Sequence, residues 1–265
     1  MLISDIESEN VLICSDLHLG PKNPTITDFF CNWALSYFQD QNLKDRPEWL
    51  LILGDLFDHW VGDDLINSSK KYEFKNAIEE LKKCFLSLKE LNVSVGIMHG
   101  NRDFLMGETL LSYIHAKHLA PTLKLRPVKN NHVVLLVHGD ELCTDDTQHQ
   151  VFRELVKTSD WQNKFKSKPL DERQKIAKSL RENSEVGKKN KALEIMDINP
   201  ETADCFLQEN NAHVLIHGHT HLPGKNILPS GKFRWVITNW IIDVNGKVSG
   251  GGIQVKGNEI NQIFT

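Results

Sequence analysis

Five short motifs in this chain carry side chains suited to holding divalent metal ions. They are Ser15-Asp16-Leu17-His18, Gly54-Asp55-Leu56-Phe57-Asp58, His99-Gly100-Asn101-Arg102-Asp103, His138-Gly139-Asp140 and His217-Gly218-His219-Thr220-His221. Aspartate, asparagine and imidazole are hard-to-borderline ligands that first-row divalent ions accept, and no cysteine is placed to compete. A one-residue gap in an extended segment puts Asp16 and His18 on one side, as two ligands of one ion require. A carboxylate can bridge two metals, and such a pair positions and ionises a shared water for attack at phosphorus. Asn101 offers a neutral oxygen, and the adjacent Arg102 suits bidentate recognition of phosphate. Singly, each motif has a plain reading. Asp16 can be a turn or cap residue and His18 a loop histidine, while Asp58, Asp63 and Asp64 can be loop carboxylates or caps. The plain reading is preferred for Asp63, and for His99 as a core histidine. Five motifs in one order, each closing an apolar run, point instead to one dinuclear centre built from the ends of five strands.

The elements that must position these residues are visible in the hydrophobic pattern. Residues 11–14, 49–53, 93–98, 132–137 and 214–216 are short, nearly continuous apolar runs, as strands buried on both faces would be. Residues 25–40 have helical periodicity through Phe29, Phe30, Trp33, Ala34 and Phe38, with Thr25 or Thr27 as N-cap. Residues 69–91 form a long amphipathic helix carrying Phe74, Ile78, Leu81, Phe85 and Leu88 on one stripe. A short helix over 107–116 leads to a strand at 122–128, and a helix over 200–210 has Asn199 or Asn210 near its ends. Segments 233–240, 246–255 and 259–264 alternate like antiparallel strands, with turns at Asn245-Gly246 and Gly257-Asn258. Strands alternating with helices predict a layered α/β fold.

Residues 147–197 break this alternation. They contain no convincing strand and read as two or three amphipathic helices, anchored by Val151, Phe152, Leu155, Val156, Trp161, Phe165, Ile176 and Leu180. Residues 151–191 hold 12 Lys/Arg against 6 Asp/Glu. A basic helical insertion in an otherwise acidic chain suggests contact with an anionic substrate or membrane surface. Taken alone, the segment reads more simply as a helical hairpin with a solvated charged face.

Composition narrows the function classes. With a net charge of −4 over 265 residues, the molecule as a whole is not an electrostatic binder of nucleic acid. The five cysteines are scattered and lack CxxC spacing, so they read as reduced thiols. The first ten residues are acidic without a base, unlike a secretory leader, and no apolar run reaches the roughly 18 residues of a membrane span. A cytoplasmic protein is expected, with peripheral membrane contact left open. Nothing in the pattern prescribes an oligomer.

The ordered motifs resemble those of the calcineurin-like metallophosphoesterase superfamily: DxH, GDxxD, GNxD/E, a lone histidine, then GHxH. They stand here as Asp16-Leu17-His18, Gly54 to Asp58, Gly100 to Asp103, His138, and Gly218 to His221. The resemblance implies a four-layer αββα sandwich of two mixed sheets, one domain over 1–265, with residues 147–197 as an inserted helical lid. It implies that Asp16, His18 and His221 hold one metal, that Asn101, His138 and His219 hold the other, and that Asp55 bridges. His217 lies outside the pattern and is left structural. Two Mn²⁺ are expected, although the ligand set would accept Fe²⁺, Zn²⁺ or Co²⁺.

A finer resemblance is to the UDP-2,3-diacylglucosamine diphosphatase family of lipid A biosynthesis. It rests on Ser15 to Gly20, Gly54 to Trp60 with Gly62-Asp63-Asp64, Gly100 to Phe104 and His138 to Asp146. Phe152-Arg153, Arg181 to Ser184, Met196-Asp197 and Gly218 to Pro223 continue it. It implies hydrolysis of UDP-2,3-diacylglucosamine to UMP and lipid X, with a hydroxide held between the metals attacking the α-phosphorus. Asp55, Asn101, Arg102 and His219 are then the residues at the chemistry. Asn101, Arg102, Asp146, Ser184, Lys188, Lys191 and His219 are the substrate contacts, and Asp58 and Asp103 orient ligands. The basic lid becomes a candidate contact for acyl chains and for the anionic inner membrane, on whose cytoplasmic face a Gram-negative enzyme of this kind works. Departures occur in the lid, where Lys188 replaces a small polar residue and His149 replaces tyrosine, and in the tail after Trp240, where Ile241-Ile242-Asp243-Val244 matches weakly. Two other readings differ in class. One is a calcineurin-like phosphoesterase acting on nucleotides or dinucleoside polyphosphates. The other is a non-catalytic scaffold that keeps the fold.

Overall fold

The computed structural model describes residues 3–21, 23–68, 73–129, 131–189 and 193–265, with backbone alone at 183, 185–189, 193 and 194. The strands in chain order are β1 (Ile3–Glu7), β2 (Asn10–Cys14), β3 (Trp49–Leu53), β4 (Ser94–Met98), β5 (Lys117–His118), β6 (Thr122–Arg126) and β7 (Val134–Val137). They continue as β8 (Val214–His217), β9 (Gly224–Ile227), β10 (Phe233–Val236), β11 (Ile241–Ile242), β12 (Val248–Ser249), β13 (Gly251–Lys256) and β14 (Glu259–Phe264). The helices are α1 (Pro24–Gln39), α2 (Lys75–Glu90), α3 (Glu108–Tyr113), α4 (Thr147–Lys157), α5 (Ser159–Lys166), α6 (Leu170–Lys189), α7 (Leu193–Met196) and α8 (Pro200–Glu209).

Most strands join two six-stranded mixed sheets, one ordered β14-β13-β2-β3-β4-β5 and the other β1-β6-β7-β8-β10-β9. In the first, β2 to β5 run parallel and β13 pairs antiparallel with both β2 and β14. In the second, β7, β8 and β10 are parallel neighbours. Side-chain alternation along each strand divides the layers. In β3, Leu50 and Ile52 face outward against Phe30, Phe38, Ile78 and Phe85 of α1 and α2, while Leu51 and Leu53 face the other sheet. The inter-sheet core joins Ile13, Leu51 and Ile253 to Leu123, Leu136 and Ile216. On the far side, Leu135, Val137 and Leu215 pack on Ala203 and Leu207 of α8. The molecule is therefore the expected α–β–β–α sandwich.

Several local expectations are corrected. Helix α1 begins at Pro24 after Asn23, with no side-chain cap bond, so neither Thr25 nor Thr27 caps it. Proline's fixed φ suits the first helical position, and the missing N–H would be unpaired there anyway. The segment from Phe233 does not join an antiparallel meander: β10 runs parallel to β8 and takes β9 on its other side. Strands β1 and β9 fell outside the expected set because half-exposed edge strands lack apolar runs. The hairpin β13–β14 turns at Gly257, and Asn245-Gly246 closes the small β11–β12 hairpin, both as expected. Residues 69–72 of the long expected helix lie outside the described residues.

Candidate metal centre

The parallel strands deliver their C-terminal ends to one edge of the sandwich, the place where ligands collect in open α/β sheets. Asp16 and His18 follow β2, Asp55 follows β3 and Asn101 follows β4, all from the first sheet. His138 follows β7, and His219 and His221 follow β8, from the second. Each ligand sits just past a strand end and must turn its side chain back across that edge. Asp16, His18, Asp55, His219 and His221 do so with positive φ, between 49° and 64°. That left-handed region disfavours non-glycine residues and is held where the surroundings over-determine it. Here backbone bonds lash the turns together. The Asp16 amide donates to the Gly54 carbonyl, that of His18 to Asp55, that of Gly218 to His138, and that of Trp240 to Asp16.

Glycines give the carboxylates room. A Cβ on Gly100 would stand 2.2 Å from Asp55 Oδ1, and one on Gly218 would stand 2.3 Å from Asp16 Oδ2. Gly54, at φ +86°, packs so close to Gly100 that a Cβ would meet its backbone at 2.6 Å.

The ligand atoms converge in two groups. His221 Nε2 lies 3.2 Å from both His18 Nε2 and Asp16 Oδ1. Asn101 Oδ1 lies 3.1 Å from His138 Nε2 and 3.1 Å from His219 Nδ1. Asp55 stands between them, with Oδ2 at 3.8 Å from His18 Nδ1 and Oδ1 at 3.7 Å from His138 Nε2. Neighbouring ligands on one ion with bonds of about 2.1 Å sit roughly 3.0–3.4 Å apart, so the separations within each group fit a divalent ion, with Asp55 standing farther off between them. Asp16 comes within reach of both groups, since its carboxylate also clusters with Asp55 and His138. His18 Nδ1 is buried without a hydrogen-bond partner.

The electrostatics ask for positive charge. Burial opposes charge on His138, yet Asp55, Asp16 and Asp140 push it up to about 9. Burial also opposes charge on Asp16, but the bond from His221 and the surrounding imidazoles hold its carboxyl well below the usual range. A divalent ion beside the same carboxylates would supply that charge and leave His138 neutral, as a metal ligand must be. His18 is held well below the usual imidazole range by burial and Arg102, and His219 by burial and His138, so both keep free lone pairs.

The family profile of calcineurin-like phosphoesterases matches residues 9–223, which include all five motifs and the helical insertion. The chain belongs to the calcineurin-like phosphoesterase family. Its relatives in that family include three proteins named UDP-2,3-diacylglucosamine hydrolase. That of Bordetella pertussis is 35% identical over 92% of this chain and 90% of its own length. That of Aromatoleum aromaticum is 37% identical over 87% and 89%. That of Haemophilus influenzae is 40% identical over 78% and 81%.

Around this phosphoesterase centre the remaining expected residues fall into three sets. Arg102 lies over it, its backbone N–H donating to Asp55 Oδ1 at 3.0 Å and its Nε 3.3 Å from Asp55 Oδ2. Asp58 receives Arg102 Nη1 at 3.3 Å, and buried Asp103 accepts from the Gly100 and Phe57 amides, fixing the turn that presents Asn101. Burial and Asp55 push Asp103 up to about 7. In the second set, Asp146 caps α4 through the His149 amide, and Ser184 is exposed on α6. Lys188 is described by its backbone alone, and Lys191 lies outside the described residues. The third set is structural, as read. His217 is buried with Nδ1 on the Gly218 carbonyl and His99 bonds the Met106 carbonyl, and burial holds each at about 4. Asp63 caps α3 from a distance, accepting from the Gly107 and Leu110 amides.

Sequence reasoning missed several supporting contacts. Arg153 donates to Asp140 at 2.8 Å, and Arg173 bonds Asp64. His149 brings its ring 5.4 Å from that of His219. Arg153, Asp140, Asp64 and His149 stand in or beside the quoted motifs, but nothing in the sequence pairs them as the fold does, and Arg173 carries no motif.

Proposed function

We propose that the chain hydrolyses the pyrophosphate bond of UDP-2,3-diacylglucosamine, releasing UMP and 2,3-diacylglucosamine 1-phosphate in lipid A biosynthesis. The observation that carries this reading is 35% identity to a UDP-2,3-diacylglucosamine hydrolase over 92% of the chain and 90% of that protein. Asp16, His18 and His221 would hold one divalent ion and Asn101, His138 and His219 the other, with Asp55 between them. Two Mn²⁺ ions are the expected occupants. Such ions supply a water of lowered pKa and Lewis-acid neutralisation of phosphoryl oxygens.

The chain's own groups do the rest. Arg102 presents guanidinium N–H groups to non-bridging phosphate oxygens, and Asp58 and Asp55 hold its side chain in place. His219 would touch both an ion and the substrate. The leaving group is a phosphomonoester whose second pKa is about 6, so it departs without a strong general acid. Residues 147–197 act as a lid within the single domain. Asp146 at its edge and Ser184, Lys188 and Lys191 within it are the polar substrate contacts, and its apolar and basic faces are directed to acyl chains and an anionic inner-membrane surface. The enzyme would work at the cytoplasmic face of that membrane in a Gram-negative bacterium. The described helices include none long and apolar enough to cross a membrane.

Mn²⁺-dependent release of UMP from UDP-diacylglucosamine, compared with turnover of soluble nucleotides and dinucleoside polyphosphates, tests the reading. Preferential turnover of the soluble substrates would transfer the chain to another branch of the family.

A further inference from the structure

Among the described residues, four arginine–carboxylate pairs join the helical insertion to the sandwich. Arg153 of α4 meets Asp140 at 2.8 Å, Arg181 of α6 meets Asp58 at 2.7 Å, and Arg234 of β10 meets Asp197 after α7 at 2.7 Å. The fourth, Arg173 of α6 with Asp64, is the most enclosed on its arginine side, the guanidinium side chain being 2% exposed. Its Nη1 donates to Asp64 Oδ1 at 2.9 Å and to the Val61 carbonyl at 2.6 Å. Its Nη2 bonds Asp64 Oδ2, and its Nε donates to the Lys168 carbonyl at 3.1 Å. An enclosed guanidinium is tolerated when its donors are matched in this way.

The loop that receives Arg173 is shaped for it and tied to the metal centre. Gly62 has φ +130°, and a Cβ there would stand 2.7 Å from Arg173 Nη1 and 3.0 Å from Asp64 Oδ1. The neighbouring Asp63 accepts from Trp60 Nε1 and from the Gly107 and Leu110 amides. The Trp60 amide donates to the Arg102 carbonyl, and Asp58 of the same loop holds the Arg102 side chain. One loop therefore connects bridging Asp55, the Asn101-Arg102 turn and the lid. The lid also has an apolar seat that does not involve Arg173: Trp161 of α5 stacks on Phe165 and approaches Phe104.

We propose that Arg173 and Asp64 form a positioning pair that sets α6 over the metal centre and so fixes where the lid presents its substrate contacts. Ser184 lies 11 residues further along α6, about 16 Å at the helical rise, so a small pivot at Arg173 displaces it by far more than a hydrogen bond tolerates. Neither residue touches the reacting atoms. The pair acts through α6 on one side and through the Asp58–Asp64 loop on the other. Its substrate arm rests on the hydrolase reading above; its structural arm does not.

The test uses the full Mn²⁺-loaded chain as wild type, Arg173→Ala, Asp64→Asn and Gly62→Ala. Gly62→Ala removes no charge, and Asp64→Asn removes no bulk. Amide exchange over 174–182 should quicken about ten-fold or more in each variant, with β2, β3 and β7 unchanged. KM for UDP-diacylglucosamine should rise roughly five-fold or more, with kcat within about two-fold. Wild-type exchange in α6 overturns the pair as an anchor. Faster exchange with an unchanged KM, or a loss confined to kcat, overturns it as a positioning contact. Equal loosening of α6, β2 and β3 in every variant also overturns it, because the pair would then hold the fold and not the lid. If the wild-type chain releases no UMP, the proposed activity falls, while the exchange arm still judges the anchor.

Discussion

Asp55 concentrates most of the residue-scale demands of this site. It is buried, bent back at φ 50°, and held between His18, His138 and Arg102. Asp55→Ala or His138→Ala should abolish UMP release, by about 10³-fold or more, while far-UV circular dichroism keeps the wild-type spectrum. Wild-type-like turnover in either variant would refute the ligand assignment. Asp103 acts one shell further out, through the amides of Gly100 and Phe57. Asp103→Ala should weaken Mn²⁺ binding or turnover by roughly 10–100-fold, measured by metal titration alongside UMP release. Gly54→Ala should cost at least about 2 kcal/mol in urea unfolding, since a Cβ there meets the Gly100 backbone at 2.6 Å. The candidate ligands were legible as a cluster because each closes an apolar run, and a strand end is where a polar side chain can face a site. Their left-handed backbone was not legible, because nothing in the type Asp or His announces it. Nor was the pairing of Arg173 with Asp64, which lie 109 residues apart and meet only in the fold.

At the scale of elements, the pattern predicted strands well where they are buried on both faces and poorly at edges. β3 reads Trp-Leu-Leu-Ile-Leu and is unmistakable, whereas β9 reads Gly-Lys-Asn-Ile and is largely exposed. The direction of β10 was also invisible, because strand polarity is set by the connection and by its partner, not by composition. The insertion's exit is tied by Arg234 to Asp197. Burial opposes charge on Asp197, but the bond and charge of Arg234 outweigh it, so its folded pKa lies below the ordinary 3.8. The sign follows: the stabilisation is fully present above that ordinary value and is lost as pH falls through it toward the lowered one. Arg234→Ala should therefore destabilise the chain by about 1 kcal/mol at pH 7, and the difference from wild type should shrink below about pH 4. Urea midpoints at pH 7 and at low pH check both.

For the whole molecule, the candidate metal centre spans two sheets. Asp16, His18, Asp55 and Asn101 come from one, and His138, His219 and His221 from the other. Ions held only by the folded arrangement stabilise it by mass action, about 2.7 kcal/mol at one hundred times the dissociation constant. Chelation should lower the thermal midpoint, and added Mn²⁺ should restore it in a concentration-dependent way; a midpoint indifferent to both would contradict the fit of these ligands to an ion. The order of strands carries a separate consequence. β2, which leads into Asp16 and His18, has β3 on one side and β13 on the other, and β13 comes only at residues 251–256. On the ribosome, then, this apolar strand emerges early and waits for most of synthesis with one flank open. Such a flank is a template for wrong pairing, so the nascent chain depends on chaperone cover, or on rapid completion, until its closing hairpin arrives.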